Sequence, residues 1–142
     1  MKMKKKCVIA TTKALEKANL PNDGGIDMHL RYDYSLRPYE TKQLLIDRRF
    51  VIPVGFKATV HPRSSSAVRG ILVHNTVIDA QYTGRLFIIA TNLSHSDIVL
   101  PKSSRVAQLV VSPVTPVEFK VGTVEELDNG DRGERCLGST GA

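Results

Sequence analysis

Residues 76–85 read TVIDAQYTGR. Val77 and Ile78 are β-branched and form the core of a short strand. Asp79 closes that strand at once, Tyr82 follows three residues later, and Gly84 two after that. A turn accounts for the glycine. It does not account for a carboxylate and an aromatic ring placed on the same turn.

The same alternation of brief strand and turn extends outward in both directions. Residues 7–10, 44–46, 50–54, 57–60, 71–73, 86–91, 97–100, 106–111 and 114–119 are further β-rich runs, and 77–79 belongs with them. Pro53, Gly55, Pro62, Gly70, Gly84, Asn92, Pro101 and Pro113 punctuate them. Many short strands at regular spacing predict an all-β barrel or sandwich. The segment TTKALEKAN, residues 11–19, predicts one short helix, with Thr12 as its cap and Leu15 and Ala18 on one face.

The 142 residues are enough for one domain with a real core. Residues 1–127 read as that domain, with a basic tail over 1–6. Residues 128–142, DNGDRGERCLGSTGA, carry glycine and charge and little to bury, so they read as a flexible C-terminal arm. No apolar run approaches the 18 or so residues of a membrane span. The start MKMKKKCVIA has too short an apolar run for a signal peptide, which predicts an intracellular protein, cytoplasmic or nuclear. Cys7 and Cys136 form no CxxC pair, which fits a reducing compartment, and the four histidines have no zinc-ligand spacing. Of the formal charge of +6, four units come from Lys2, Lys4, Lys5 and Lys6. Such a tail can touch nucleic acid, but a solvated terminus is the favoured reading.

Four segments hold groups suited to phosphate chemistry. HPRSSSAVRG offers the Arg63 guanidinium, a bidentate match for phosphate, beside the hydroxyls of Ser64, Ser65 and Ser66. NDGGIDMHL sets Asp27 just inside a strand after two glycines, where it caps a turn or holds a hydrated Mg²⁺. KSSRVAQLVV presents Arg105 and Gln108 on a strand. The tail adds Arg132, Arg135, Ser139 and Thr140, donors that can fold over an anion. Taken singly, HPRSSSAVRG and KSSRVAQLVV read better as ordinary loop and strand than as a site. GSTG lacks the GxSxG setting of a serine nucleophile.

Taken in order, GGIDM, PRSSSA, NTVIDAQYTG, SRVAQLV and RGERCLGSTG resemble the five motifs of the homotrimeric dUTPases, from about Gly24 to the C-terminus. The resemblance implies a jelly-roll-like β-barrel, a homotrimer with three shared sites, and an arm that closes over a neighbouring subunit's site. It implies hydrolysis of dUTP to dUMP and pyrophosphate, which keeps uracil out of DNA and supplies dUMP for thymidylate synthesis, with Mg²⁺ as cofactor. The hairpin of Asn75, Val77 and Ile78 would recognise uracil through main-chain groups. Tyr82 would pack beneath the deoxyribose, and Asp79 would contact the 3′-hydroxyl and position the attacking water. Asp27 would hold the metal through water, and Gln108 would act near the α-phosphate. Arg63, Ser64, Ser65, Arg132, Gly138, Ser139 and Thr140 would balance the phosphate charge, and Arg105 would buttress the site.

Some positions depart from that pattern. Where the family carries two glycines and an aromatic lid, this chain has Arg135, Cys136 and Leu137. Leu137 covers the base with apolar area only, unless Phe87 serves from elsewhere. Thr76 replaces a common glycine, and Ser103-Ser104 a common Gly-Asp. The compact stretch 62–78 and the altered tail are compatible with a viral or phage source. Three rival readings exist. A dCTP deaminase of the same fold would need a carboxylate near Ile89, which RLFIIATN does not supply. A catalytically weak, dUTPase-like nucleotide-binding or regulatory module would not need Asp27, Asp79, Arg63 and Gln108 all retained. DNA binding through the lysine tail would be steeply salt-dependent.

Overall fold

The computed structural model describes residues 6–13 and 23–128. They form eleven strands and two single-turn helices. In order these are β1 (Ala10–Thr11), β2 (Ile26–His29), β3 (Tyr34–Leu36), β4 (Thr41–Leu45), β5 (Phe50–Val51), β6 (Phe56–Pro62), α1 (Ser64–Val68), β7 (Ile71–Val73), β8 (Val77–Ile78), β9 (Phe87–Asn92), β10 (Ile98–Leu100), β11 (Arg105–Pro113) and α2 (Val124–Asp128). Every pairing is antiparallel. A four-stranded sheet runs β2-β11-β6-β8 and a three-stranded sheet runs β4-β9-β7, with two-stranded pairs β1-β5 and β10-β3 beside them.

This is the all-β, jelly-roll-like architecture expected, and its core is continuous. Met28, Leu36, Leu44, Val60, Ile88, Leu100 and Leu109 from separate strands are fully buried in one cluster with Ile52, which follows β5. The period-2 alternation of side chains puts them there: Ile88, Ala90 and Asn92 of β9 are buried, while Phe87, Ile89 and Thr91 are not. Asn92 is the polar exception. Its Nδ2 donates to the carbonyls of Leu36 (2.9 Å) and Ser96 (2.7 Å), and its Oδ1 accepts from the Ser94 amide (2.8 Å) and hydroxyl (2.7 Å). A buried amide with all these bonds made clamps the turn between β9 and β10.

Several expectations are corrected. Residues 114–119 form no strand. Their backbone finds no sheet partner among the described residues, and Val117 and Phe119 are exposed. The expected strand at 7–10 starts only at Ala10. β3 was not anticipated, because Tyr34-Ser35-Leu36 is too short for a periodic signal. Residues 64–68, read as a loop after Pro62, wind into α1, whose Ser66 Oγ donates to the Val106 carbonyl at 2.6 Å. Helix α2 was likewise not foreseen. Of the helix expected at 11–19, Thr11 lies in β1 and the Thr12 hydroxyl oxygen accepts the Arg49 amide at 3.0 Å. Residues 14–19 lie outside the described residues.

Candidate active site

The segment 76–85 sits at one edge of the four-stranded sheet. Among the described residues β8 pairs with β6 alone, Ala58 opposite Ile78 and Thr59 opposite Val77, so its outer edge carries no ladder there. The chain then turns through Ala80 and Gln81. Gln81 takes φ 68°, and its amide donates to the Ile52 carbonyl at 2.9 Å. That anchor brings Tyr82 around, and its hydroxyl donates to the Arg85 carbonyl at 2.9 Å. The tyrosine ring lies against Gly84: a Cβ there would meet Tyr82 Cζ at 2.5 Å. The glycine thus makes room for the ring rather than for an unusual dihedral angle.

Val77, Ile78, Asp79 and Tyr82 line one cavity of about 280 Å³ with Gln43, Thr76, Arg85, Leu86, Phe87 and Ile89. Its walls are mainly apolar, as suits a flat heterocycle. The Asp79 carboxylate is exposed and has no hydrogen-bond or ion-pair partner among the described residues. Ile89, the position where a deaminase would need its acid, faces this cavity as a hydrocarbon. Asn75 is exposed and does not line it. Gln43 and Arg85 were not anticipated. Gln43 reaches the cavity because β4 pairs with β9, Gln43 opposite Ile89, and no local signal announces that register.

A second cavity, about 340 Å³, is lined by Asp23, Gly24, Gly25, Asp27, Arg63, Ser64 and Gln108. It is built on β2, β11 and the chain leaving β6 in the same sheet. Asp27 on β2 stands opposite Gln108 on β11. Arg105 and Gln108 are three apart and would face opposite sides of a regular strand. A bulge between Arg105 and Ala107 adds a residue, so both serve the Asp27 side. Asp27 accepts from Arg63 Nε at 3.0 Å on one oxygen and from Arg105 Nη1 at 3.3 Å on the other. Arg63 is fixed further by its bond to the Arg105 carbonyl at 3.0 Å. Gln108 Nε2 donates to the Pro62 carbonyl at 3.0 Å, and its side chain packs on Gly25, where a Cβ would collide with it. Ser65, next on α1, is exposed and outside the lining. Asp23 was not anticipated; its signal is the pair of acids flanking two glycines.

Among the described residues no three His, Cys, Asp or Glu side chains come together as a metal cage. The oxygen donors of this second cavity, Asp23 and Asp27, instead suit a hydrated magnesium ion that keeps several waters. Arg132, Leu137, Gly138, Ser139 and Thr140 lie outside the described residues. Among the described residues no helix is long and apolar enough to cross a membrane.

The dUTPase family profile matches residues 12–141. The deoxyuridine 5′-triphosphate nucleotidohydrolase of Cutibacterium acnes is 36% identical over 137 residues, spanning 94% of this chain and 89% of its own length. That of Nautilia profundicola is 36% identical over 120 residues, 82% of this chain and 83% of its own. Among solved structures, a variant of the Staphylococcus bacteriophage 80alpha dUTPase with dUpNHpp superposes with a TM-score of 0.83 at 22% identity, covering 95% of this chain and 99% of that one. A variant dUTPase from phage phi11 of S. aureus, described as coordinating a structural Mg(II) ion, superposes with a TM-score of 0.74 at 20% identity, covering 81% of this chain and 96% of that one.

Proposed function

Since this chain belongs to the dUTPase family, it is a hydrolase that converts dUTP to dUMP and pyrophosphate, and we propose that it does so in sites assembled between subunits of a homotrimer. The observation that carries this reading is the separation of the two cavities. They share no residue: one is built on β8 and the turn after it, the other on β2, β11 and the chain leaving β6. One subunit would supply the Asp79 cavity and the next the Asp27–Arg63 cavity. The apolar side chains exposed after β11, Val117, Phe119, Val121 and Leu127, further support assembly with other copies.

In this reading uracil enters the Asp79 cavity and meets the unpaired edge of β8, whose main-chain groups are free to read its polar edge. The Tyr82 ring takes the sugar from below and leaves no space for a 2′-hydroxyl, which selects deoxyribose by exclusion. Asp79, on a turn and without a competing partner, holds the 3′-hydroxyl and orients the attacking water. The carboxylate can take that water's proton as its oxygen attacks the α-phosphorus and the bond to pyrophosphate breaks. Arg63 and Ser64 receive the phosphates, with Gln108 near the α-phosphate. Asp27 would hold Mg²⁺ through water, and the bound ion would supply charge neutralisation along the triphosphate. Ser65 is a weaker candidate for the phosphates because it stands outside the cavity. The C-terminal arm, with Arg132, Leu137, Gly138, Ser139 and Thr140, would close from another subunit over the base and phosphates.

Ile89 disfavours deamination, since a hydrocarbon stands where that chemistry needs an acid. Retention of Asp79, Asp27, Arg63 and Gln108 disfavours a binding module without turnover.

Subunit mixing tests the reading. Asp79→Asn and Arg63→Gln proteins are each expected to release little pyrophosphate from dUTP. Unfolded together and reassembled in equal amounts, they should recover about a quarter of the wild-type rate, because each site needs one intact half from each of two subunits. A mixture no more active than its parents would place both residues in one subunit's site and overturn the shared-site reading.

A further inference from the structure

A third cavity, about 250 Å³, adjoins the Asp79 cavity through Arg85 and Leu86. Thr12, Arg31, Leu45, Ile46, Asp47, Arg48, Arg49, Arg85 and Leu86 line it, so four of its nine residues are arginines. Only one of the four is neutralised by an acid among the described residues. Arg48, 1% exposed, holds Asp47 with both Nε (2.8 Å) and Nη2 (3.1 Å), and Lys13 Nζ holds the same carboxylate at 2.8 Å. Arg31 rests on Tyr32, with Nε 3.2 Å from the hydroxyl and Cζ 5.6 Å from the ring centroid. Arg49 reaches only the Thr83 carbonyl, at 3.5 Å. The Arg85 guanidinium has no partner among the described residues.

Among the described residues, then, three arginines without an acidic partner line one concavity. A sphere of 250 Å³ is about 8 Å across, no wider than the screening length of about 8 Å at physiological ionic strength. Solvent ions do not fully hide these charges from one another, and the cavity is a focus of positive potential. The Thr12 hydroxyl oxygen accepts the Arg49 amide at 3.0 Å, which leaves its hydrogen to donate inward. Planar forks with many N–H donors suit the oxygens of a phosphate group better than a single carboxylate.

We propose that this cavity is a second anion site, which binds a multiply charged phosphate species such as free pyrophosphate or phosphate. It does not depend on how the catalytic halves assemble. Arg85 and Leu86 line both this cavity and the Asp79 cavity, so the two occupants share a wall.

The test uses the full-length assembled protein and sodium pyrophosphate without magnesium, followed by titration calorimetry. Arg63→Gln is introduced first to weaken the Asp27–Arg63 cavity. This protein should still bind pyrophosphate, and adding Arg31→Gln and Arg49→Gln should weaken that binding at least about tenfold. In an otherwise wild-type protein, the Arg31→Gln/Arg49→Gln pair should leave dUTP turnover unchanged. As a readout that needs no loss of arginine, pyrophosphate should protect Arg31 and Arg49 of the Arg63→Gln protein from an arginine-selective dicarbonyl reagent. No binding in the Arg63→Gln protein, equal affinity after the further pair, or absence of protection would each overturn the proposal. So would a change in assembled mass on substituting Arg31 and Arg49, which would make the cavity a contact between subunits.

Discussion

At one edge of the four-stranded sheet Asp79 stands on a turn with its carboxylate open to solvent. At the other edge Asp27 lies in a strand between two guanidiniums, at 3.0 and 3.3 Å. The residue type is the same, but the surroundings divide the labour. A carboxylate that must orient water and accept a proton cannot already be tied to a cation. A carboxylate that must hold its place among phosphates, and keep neighbouring arginines apart and aligned, benefits from being tied.

Four changes probe that division. The largest effect is expected for Asp79→Asn, which keeps the shape and removes the base. Pyrophosphate release from dUTP should fall by about 10² to 10⁴, with affinity for a non-hydrolysable analogue nearly unchanged. A matching loss of affinity would confine Asp79 to holding the 3′-hydroxyl and remove it from the chemistry. Next comes Asp27→Asn. It should raise the Mg²⁺ concentration needed for half-maximal rate by about ten- to a hundredfold, read by titrating the metal at saturating dUTP. An unchanged magnesium requirement would remove Asp27 from the metal's surroundings.

A third acid shows what clamping does without catalysis. Burial raises the Asp47 pKa, but the hydrogen bonds and charges of Arg48 and Lys13 outweigh it and bring the group down to about 2. The folded value lies below that of an unfolded aspartate, so this contribution is present above about pH 4 and is lost as the pH falls toward 2. Its size is on the order of 2 kcal/mol, checked by denaturant unfolding at stepped pH. Asp47→Asn should destabilise the protein at neutral pH and remove that step, because it leaves Arg48 buried without its partner. The smallest effect is Gly84→Ala. The new methyl group displaces the Tyr82 ring, and KM for dUTP should rise about tenfold while kcat holds, the signature of lost ground-state and transition-state binding alike. A fall in kcat with KM unchanged would give the ring a part in the chemistry.

The sequence was most legible where side-chain period and turn chemistry act locally. Strands at 71–73 and 77–78, the glycine at 84, and the acid at the end of β8 all follow from neighbours within a few residues. It was least legible where a contact depends on register. The strand expected at 114–119 failed because β propensity without a partner strand makes no ladder. Gln43 entered the Asp79 cavity only through the β4–β9 pairing. Arg105 and Gln108 came to one side only through the bulge at Val106, which no residue in SRVAQLV signals. The arginines of the third cavity are scattered over residues 31–85, and nothing in their spacing connects them.

By itself, then, the chain's order of residues determined the all-β class, the membership in a family of nucleotide hydrolases, and the identity of the charged and polar groups proposed to meet the nucleotide. Those properties reside in short motifs whose chemistry survives in isolation. Tertiary structure alone decided which acid stays open and which is clamped, that Asp79 and Asp27 lie at opposite edges of one sheet, and that three arginines without an acidic partner among the described residues line a common cavity. Those are properties of strand order, register and a single inserted residue, and they arise only when distant segments pair.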